Sequence, residues 1–308
     1  MYEGSITDVN GLLIGHAQDT QGLSGVTVLL AREGAVTGVS VSGSAPGTRE
    51  TALMEQAKAK ELIYAVLLAG GSAYGLAAAD GVMLFCEQNG MGVHTPAGVV
   101  PTVPAAVIYD LEYGRSDVRP NAGMGYAACI NAKQTVQQGS IGAGIGATVG
   151  KVLGMKHCQK GGIGTASLTL AGGAVVGAIV CVNAFGDIYD NGRIIAGART
   201  KQGFLDTAEY MITHEVSTNV FRDRNTTLGI VATDAVLDRD EATKLAQVAQ
   251  DGMARAINPV HTMVDGDTVF GLSYGSRHAD LNCILAAAAE ATRRAIVNAE
   301  LAVGAAVM

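Results

Sequence analysis

From Thr226 to Ala235 the chain reads Thr-Thr-Leu-Gly-Ile-Val-Ala-Thr-Asp-Ala. Leu228 to Ala232 is an unbroken apolar run, which reads as a strand buried in a core. Glu215 to Arg224 just before it is polar, with Arg222, Asp223 and Arg224 crowded against the junction. A charged stretch that reads as an exposed loop thus ends at the lip of a core strand, and Asn225-Thr226-Thr227 marks the lip. On β propensity and turn preference alone this is a strand entry. It also has the chemistry of a self-cleaving hydrolase. Cutting the Asn225–Thr226 bond would give Thr226 a free α-amine beside its own hydroxyl. Such an amine has a pKa of about 7.7–8.0, close to where a general base works best. The hydroxyl is a weak nucleophile until a neighbouring base takes its proton. The uncut chain could use the same hydroxyl on the Asn225 carbonyl in an N-to-O acyl shift. These residues do not choose between Thr226 and Thr227.

Composition narrows the field. Of 308 residues, 16% are charged, well below the roughly 25% of an average soluble chain, and the formal net charge is -7. Low charge predicts surface hidden in an oligomer. With no Lys/Arg cluster above this acidic background, no nucleic-acid partner is expected. The five cysteines (Cys86, Cys129, Cys158, Cys181, Cys283) are single, with no C-x-x-C pair, and are expected to be buried free thiols in a reducing, cytoplasmic setting. The start, Met1-Tyr2-Glu3-Gly4-Ser5, lacks the pattern of a signal peptide. The uncharged stretch from Gly161 to Gly186 is long enough to span a membrane. Gly172-Gly173 splits it and β-branched residues fill its second half, so two buried strands joined by a turn are expected and no membrane span.

Taken in order, Leu12 to His16, Gly25 to Leu30 and Ala35 to Ser42 read as short strands separated by turns, the last turn at Glu33-Gly34. Thr48 reads as a helix cap, and Arg49-Glu50 as a surface pair. Tyr64 to Ala69 is a strand, followed by Gly70-Gly71-Ser72 and a helix from about Ala73 to Gln88. Strand, glycine turn, helix is the setting of a nucleophile elbow. G-x-S-x-G is not met, however, because Tyr74 stands where glycine is needed, so Ser72 is not taken as the nucleophile. Gly142, Gly144 and Ala147 fit the looser dinucleotide fingerprint, but no acidic residue occurs between Asp117 and Asp187 to hold a ribose. Lys151 is followed by Val152, which excludes a P-loop, so no cofactor is expected. Asp238 and Glu241 resemble a capping box opening one helix, and an alanine-rich helix runs from about Asp280 to Gly304.

Asp265 and Asp267 flank Gly266. If extended, both carboxylates share a face and could tune a nearby amine; the alternative is a surface Asp-Gly turn. The pair lacks the pattern of a calcium loop, and the histidines include no H-E-x-x-H, so no metal is expected. Asn183 closes an uncharged strand, either as a turn residue or as an amide aimed at an oxyanion. Tyr109 and Lys151 read on their own as surface-reaching tips.

The junction, together with Pro46-Gly47-Thr48-Arg49-Glu50-Thr51, Asn183-Ala184-Phe185-Gly186-Asp187 and the block Pro259 to Thr268, resembles the L-aminopeptidase/D-esterase (DmpA-type) family. That family includes β-aminopeptidases and nylon-oligomer hydrolases, and the likeness runs from about Ile6 to about Gly304. It implies an α/β fold, an αββα sandwich in a single domain, cut into fragments 1–225 and 226–308 and assembled as a homotetramer. It implies hydrolysis of amide bonds in small peptides or nylon-type oligomers, with Thr226 as nucleophile. By the same resemblance, Asn183 serves the oxyanion, Tyr109 is a second oxyanion or substrate contact, and Lys151 and the Asp265/Asp267 pair hold and tune Thr226. His261 is expected to be structural. The nylon-hydrolase branch carries two aspartates, as here, and the β-aminopeptidase branch carries Ser and Glu, which argues against β-aminopeptidase specificity. Two other readings stand beside this one: acyl transfer of the ornithine acetyltransferase type, and a non-catalytic glycine-loop binding protein.

Overall fold

The computed structural model describes residues 1–54, 61–218 and 225–305. The charged cluster Arg222, Asp223 and Arg224 lies outside the described residues.

Nine strands build the frame: β1 (Leu12–Asp19), β2 (Ser24–Val41), β3 (Thr48–Arg49), β4 (Ile63–Ala69), β5 (Ala105–Val107), β6 (Ile163–Thr169), β7 (Val175–Asn183), β8 (Thr226–Ala235) and β9 (Thr268–Arg277). They form two sheets that share β2. One runs β6-β7-β8-β9-β2 and the other β1-β2-β4-β5-β3. The sequence predicts two strands here with a turn at Glu33-Gly34. The structure instead gives one strand of 18 residues. Gly34 takes a positive φ of 81°, and the pairing register shifts between Leu30 and Ala35. This bulge lets the first half of β2 pair with β1 and β4 while Val36–Val41 pairs with β9.

Strand periodicity then sorts the side chains into layers. Leu228, Ile230 and Ala232 of β8 pack with Leu29, Val66, Leu68, Ile179 and Phe270 in a core between the sheets. Val231 and Ala235 face the opposite way, towards α4 (Arg239–Ala256) and α5 (Leu281–Ala305). The other sheet buries Val28, Leu30 and Leu67 against α1 (Ala78–Gln88) and α2 (Ala122–Ile130), and the short helix α3 (Thr207–Thr213) packs Tyr210 and Met211 against Phe185 and Val264. This is the αββα sandwich that the resemblance implies.

The uncharged stretch 161–186 forms the β6–β7 hairpin, as expected, and among the described residues no helix is long and apolar enough to cross a membrane. Asp238 and Glu241 close a reciprocal capping box at the start of α4. Other local expectations give way. Thr48–Arg49 is a strand followed by a 3-10 turn, Thr51–Met54, rather than a capped helix. Arg49 pairs with Asp80 of α1 at 2.6 Å, and not with Glu50. Ser72–Ala77 is a 3-10 turn leading into α1. All five cysteines are free, but Cys158 is half-buried and Cys283 is exposed.

Candidate active site

β7 and β8 pair antiparallel with Asn183 opposite Thr226. Asn183 shares its face with Ile179 and Cys181, and Thr226 shares its face with Leu228 and Ile230. Both side chains therefore lie at the end of the layer between the sheets, Asn183 fully buried and Thr226 nearly so. A cleft of about 430 Å³ opens there, lined by Ser44, Ala45, Pro46, Gly47, Ser72 and Tyr109, with Thr226 in its wall. Thr227 has the other parity and is fully buried on the side of α4 and α5. Geometry thus separates two threonines that the sequence leaves equivalent.

The Thr226 hydroxyl donates to the carbonyl of Asn225, the residue it would attack in an acyl shift. That carbonyl also accepts the N–H of Gly266 at 3.0 Å. Asn225 is itself buried, and its Nδ2 donates to the Val264 carbonyl at 3.1 Å.

Asn183 and Lys151 form one unit. The Asn183 Oδ1 accepts from Lys151 Nζ at 2.9 Å and from the Thr148 N–H at 3.0 Å, and Lys151 Nζ also donates to the Asn183 carbonyl at 2.9 Å. These bonds orient the amide so that Nδ2 points towards the cleft-lining Tyr109, whose carbonyl it meets at 3.2 Å. Lys151 is only 2% exposed, so it is not the surface tip its sequence setting suggests. Burial pulls its pKa down to about 7, with Asp265 the largest opposing influence. A cavity of about 10 Å³, room for a single water, lies beside it between Tyr109, Asp110, Thr148 and Lys151.

The two aspartates are 2% and 1% exposed, which rules out a surface turn. Asp267 accepts the Thr227 N–H at 2.6 Å through Oδ1, and the backbone N–H and Nδ1 of His261 at 3.1 and 2.8 Å through Oδ2. Asp265 accepts from the Phe185 N–H at 3.3 Å and from the Thr262 hydroxyl. Burial first, and then the Asp267 carboxylate, push the Asp265 pKa well up. Burial alone would lower the His261 pKa, but the hydrogen bond and charge of Asp267 outweigh it and the net shift is upward.

Tyr109, Lys151, Asn183, Asn225, Thr226, Asp265 and Asp267 are thus gathered around one strand end. Sequence reasoning missed Thr148, Thr262 and the amide of Gly266, because each contributes a backbone or hydroxyl contact that no side-chain pattern announces. Ser72, set aside as a nucleophile, does line the cleft and holds a positive φ of 54°.

The fold matches those of solved aminopeptidases. A Burkholderia sp. beta-aminopeptidase is similar with a TM-score of 0.72 at 24% identity, over 97% of this chain and 86% of that one. The L-aminopeptidase D-Ala-esterase/amidase of Ochrobactrum anthropi, described as a variant of the Ntn hydrolase fold, has a TM-score of 0.74 at 18% identity, over 97% and 86% of the two chains. Among curated relatives, an uncharacterized aminopeptidase of Mycobacterium leprae is 43% identical over 88% of this chain and 79% of its own. A 6-aminohexanoate-oligomer endohydrolase of Kocuria sp. is 31% identical over 86% and 74%. The aminopeptidase relative at 43% identity and the family model together support a hydrolase of the peptidase class. The model of peptidase family S58 matches residues 4–306, and the chain belongs to that family.

Proposed function

We propose that this protein is a self-processing N-terminal-nucleophile amidohydrolase that cuts its own Asn225–Thr226 bond and then hydrolyses amide bonds of short peptides or oligoamides with Thr226. The contact of the Thr226 hydroxyl with the Asn225 carbonyl, at the wall of the cleft, carries this reading. Once freed, the α-amine of Thr226 takes the proton of its own hydroxyl, which attacks the substrate carbonyl. The Asn183 amide, held by Lys151 and Thr148, donates to the oxyanion; by analogy with other such holes this is worth about 3–4 kcal/mol. The Tyr109 side chain bounds the acyl group. Asp265 and Asp267 anchor the strand end and bias the Thr226 amine towards its protonated form. The relatives named for aminopeptidase and 6-aminohexanoate-oligomer hydrolysis support amide substrates.

Denaturing electrophoresis of purified protein should show two fragments, the smaller beginning Thr-Thr-Leu. Thr226→Ala should remain whole and inactive. An intact chain that hydrolyses amides, or a small fragment beginning at Thr227, would refute the assignment.

A further inference from the structure

Asp265-Gly266-Asp267 draws attention through its carboxylates, yet the amide between them has a contact of its own. β8 has two flanks. Asn183 of β7 lies on one, and the turn 265–267 lies on the other, where Asn225 and Asp265 form a parallel bridge. On that second flank the Gly266 N–H reaches the Asn225 carbonyl oxygen at 3.0 Å. The donor is thus already hydrogen-bonded to the oxygen on which charge would develop if Thr226 attacked this carbonyl. The turn is clasped from outside: Ser42 and Gly43 donate to the Asp267 carbonyl at 3.0 and 3.2 Å, and Ala45 donates to the Asp265 carbonyl at 2.9 Å. The donor is therefore preorganised and need not move as charge develops. Glycine leaves room for the reaction, since a Cβ at 266 would stand 2.8 Å from the Thr226 hydroxyl oxygen and 2.5 Å from the Ala45 carbonyl.

We infer that the backbone N–H of Gly266 is the oxyanion donor for self-cleavage, distinct from the Asn183 amide that serves substrate turnover on the opposite flank. The inference rests on the proposed processing of Asn225–Thr226. In that step the Thr226 Oγ bonds to the Asn225 carbonyl carbon, and the C=O electron pair moves onto the oxygen facing Gly266. The hydroxyl proton ends on the Thr226 nitrogen as the C–N bond breaks. The resulting ester takes up one water, releasing the Asn225 carboxylate and a Thr226 with free hydroxyl and α-amine. The carbonyl oxygen that Gly266 serves leaves with the Asn225 end, so the donor acts once per chain.

The test replaces Gly266 by glycolic acid through nonsense suppression in vitro, exchanging the N–H for an oxygen without adding a side chain. The same exchange at Gly43, which removes a different backbone hydrogen bond of the same clasp, is the matched control. Fragment appearance is followed by mass spectrometry, and turnover of a short amide is measured per cleaved molecule. Cleavage of the Gly266 ester should slow by about 10²–10³-fold, the cost of removing one such donor. Turnover of the molecules that do cleave should stay within about threefold of the parent, and the Gly43 ester should cleave near the parental rate. Parental cleavage in the Gly266 ester, equal slowing in both esters, or an equal loss of cleavage and turnover would overturn the inference. A parent protein that never cleaves would instead refute the processing reading on which it stands.

Discussion

Asp267 illustrates how a residue can matter here without touching the reacting bond. Its two oxygens hold the Thr227 amide and His261, so it fixes the backbone one position beyond the proposed nucleophile. A nearby carboxylate favours the protonated form of the Thr226 amine and so raises the pH at which the amine becomes a base. Asp267→Asn should therefore shift the rising limb of the pH–rate profile downward, by about one unit. Loss of positioning should at the same time lower kcat by about 10–100-fold. Pre-cleaved variant protein assayed from pH 5 to 9 checks both; an unchanged limb would show that the pair does not tune the amine. Asn183→Ala should cost about 10²–10³-fold in kcat. Because Asn183 also accepts from Lys151, its melting temperature should fall as well, measured by calorimetry on the same preparation.

At the scale of elements, α5 shows how close packing and burial restrict change. A Cβ at Gly164 of β6 would stand 2.2 Å from the Ala295 carbonyl and 2.3 Å from the Ala299 nitrogen of α5. Gly164→Ala must push the helix outward, and a loss of about 1–3 kcal/mol is expected by denaturant titration. α5 also buries Glu300 near Lys160, whose Nζ donates to the carbonyls of Gly144, Ala147 and Gly161. Burial pushes the Glu300 pKa up to about 8, with Lys160 pulling the other way. The folded chain thus holds this proton more tightly than the unfolded one. That contribution is fully present below the ordinary carboxylate range and is lost as pH rises towards about 8. Melting temperatures at pH 5, 7 and 9 should fall more steeply in the parent than in Glu300→Gln; parallel curves would reject the linkage.

For the whole molecule, low charge and exposed Ile130, Ile212 and Met263 point the same way as the family resemblance, towards an oligomer, with a tetramer expected. Light scattering giving a monomer near 31.4 kDa would refute this. The layers of the sandwich were legible wherever one strand or helix carried its own pattern. The apolar run of β8, the split hairpin at Gly172-Gly173 and the Asp238–Glu241 cap are local signals, each set by neighbours a few residues away. So were the residue types gathered at the candidate site: a hydroxyl beside the Asn225–Thr226 bond, paired carboxylates, an amide closing an uncharged strand. What sequence by itself left open depended on partners far along the chain. That β2 runs on through Glu33-Gly34 follows from its having two different neighbours, β4 and β9, to satisfy in turn. Arg49 finds Asp80 because α1 returns over the sheet, not because Glu50 is adjacent. Which of Thr226 and Thr227 meets the cleft depends on the facing of β8, and that facing follows only from pairing with β7 and packing against α4 and α5. Periodicity and residue chemistry are written in the chain; parity, burial and the meeting of Lys151 with Asn183 arise only when distant strands close on one another.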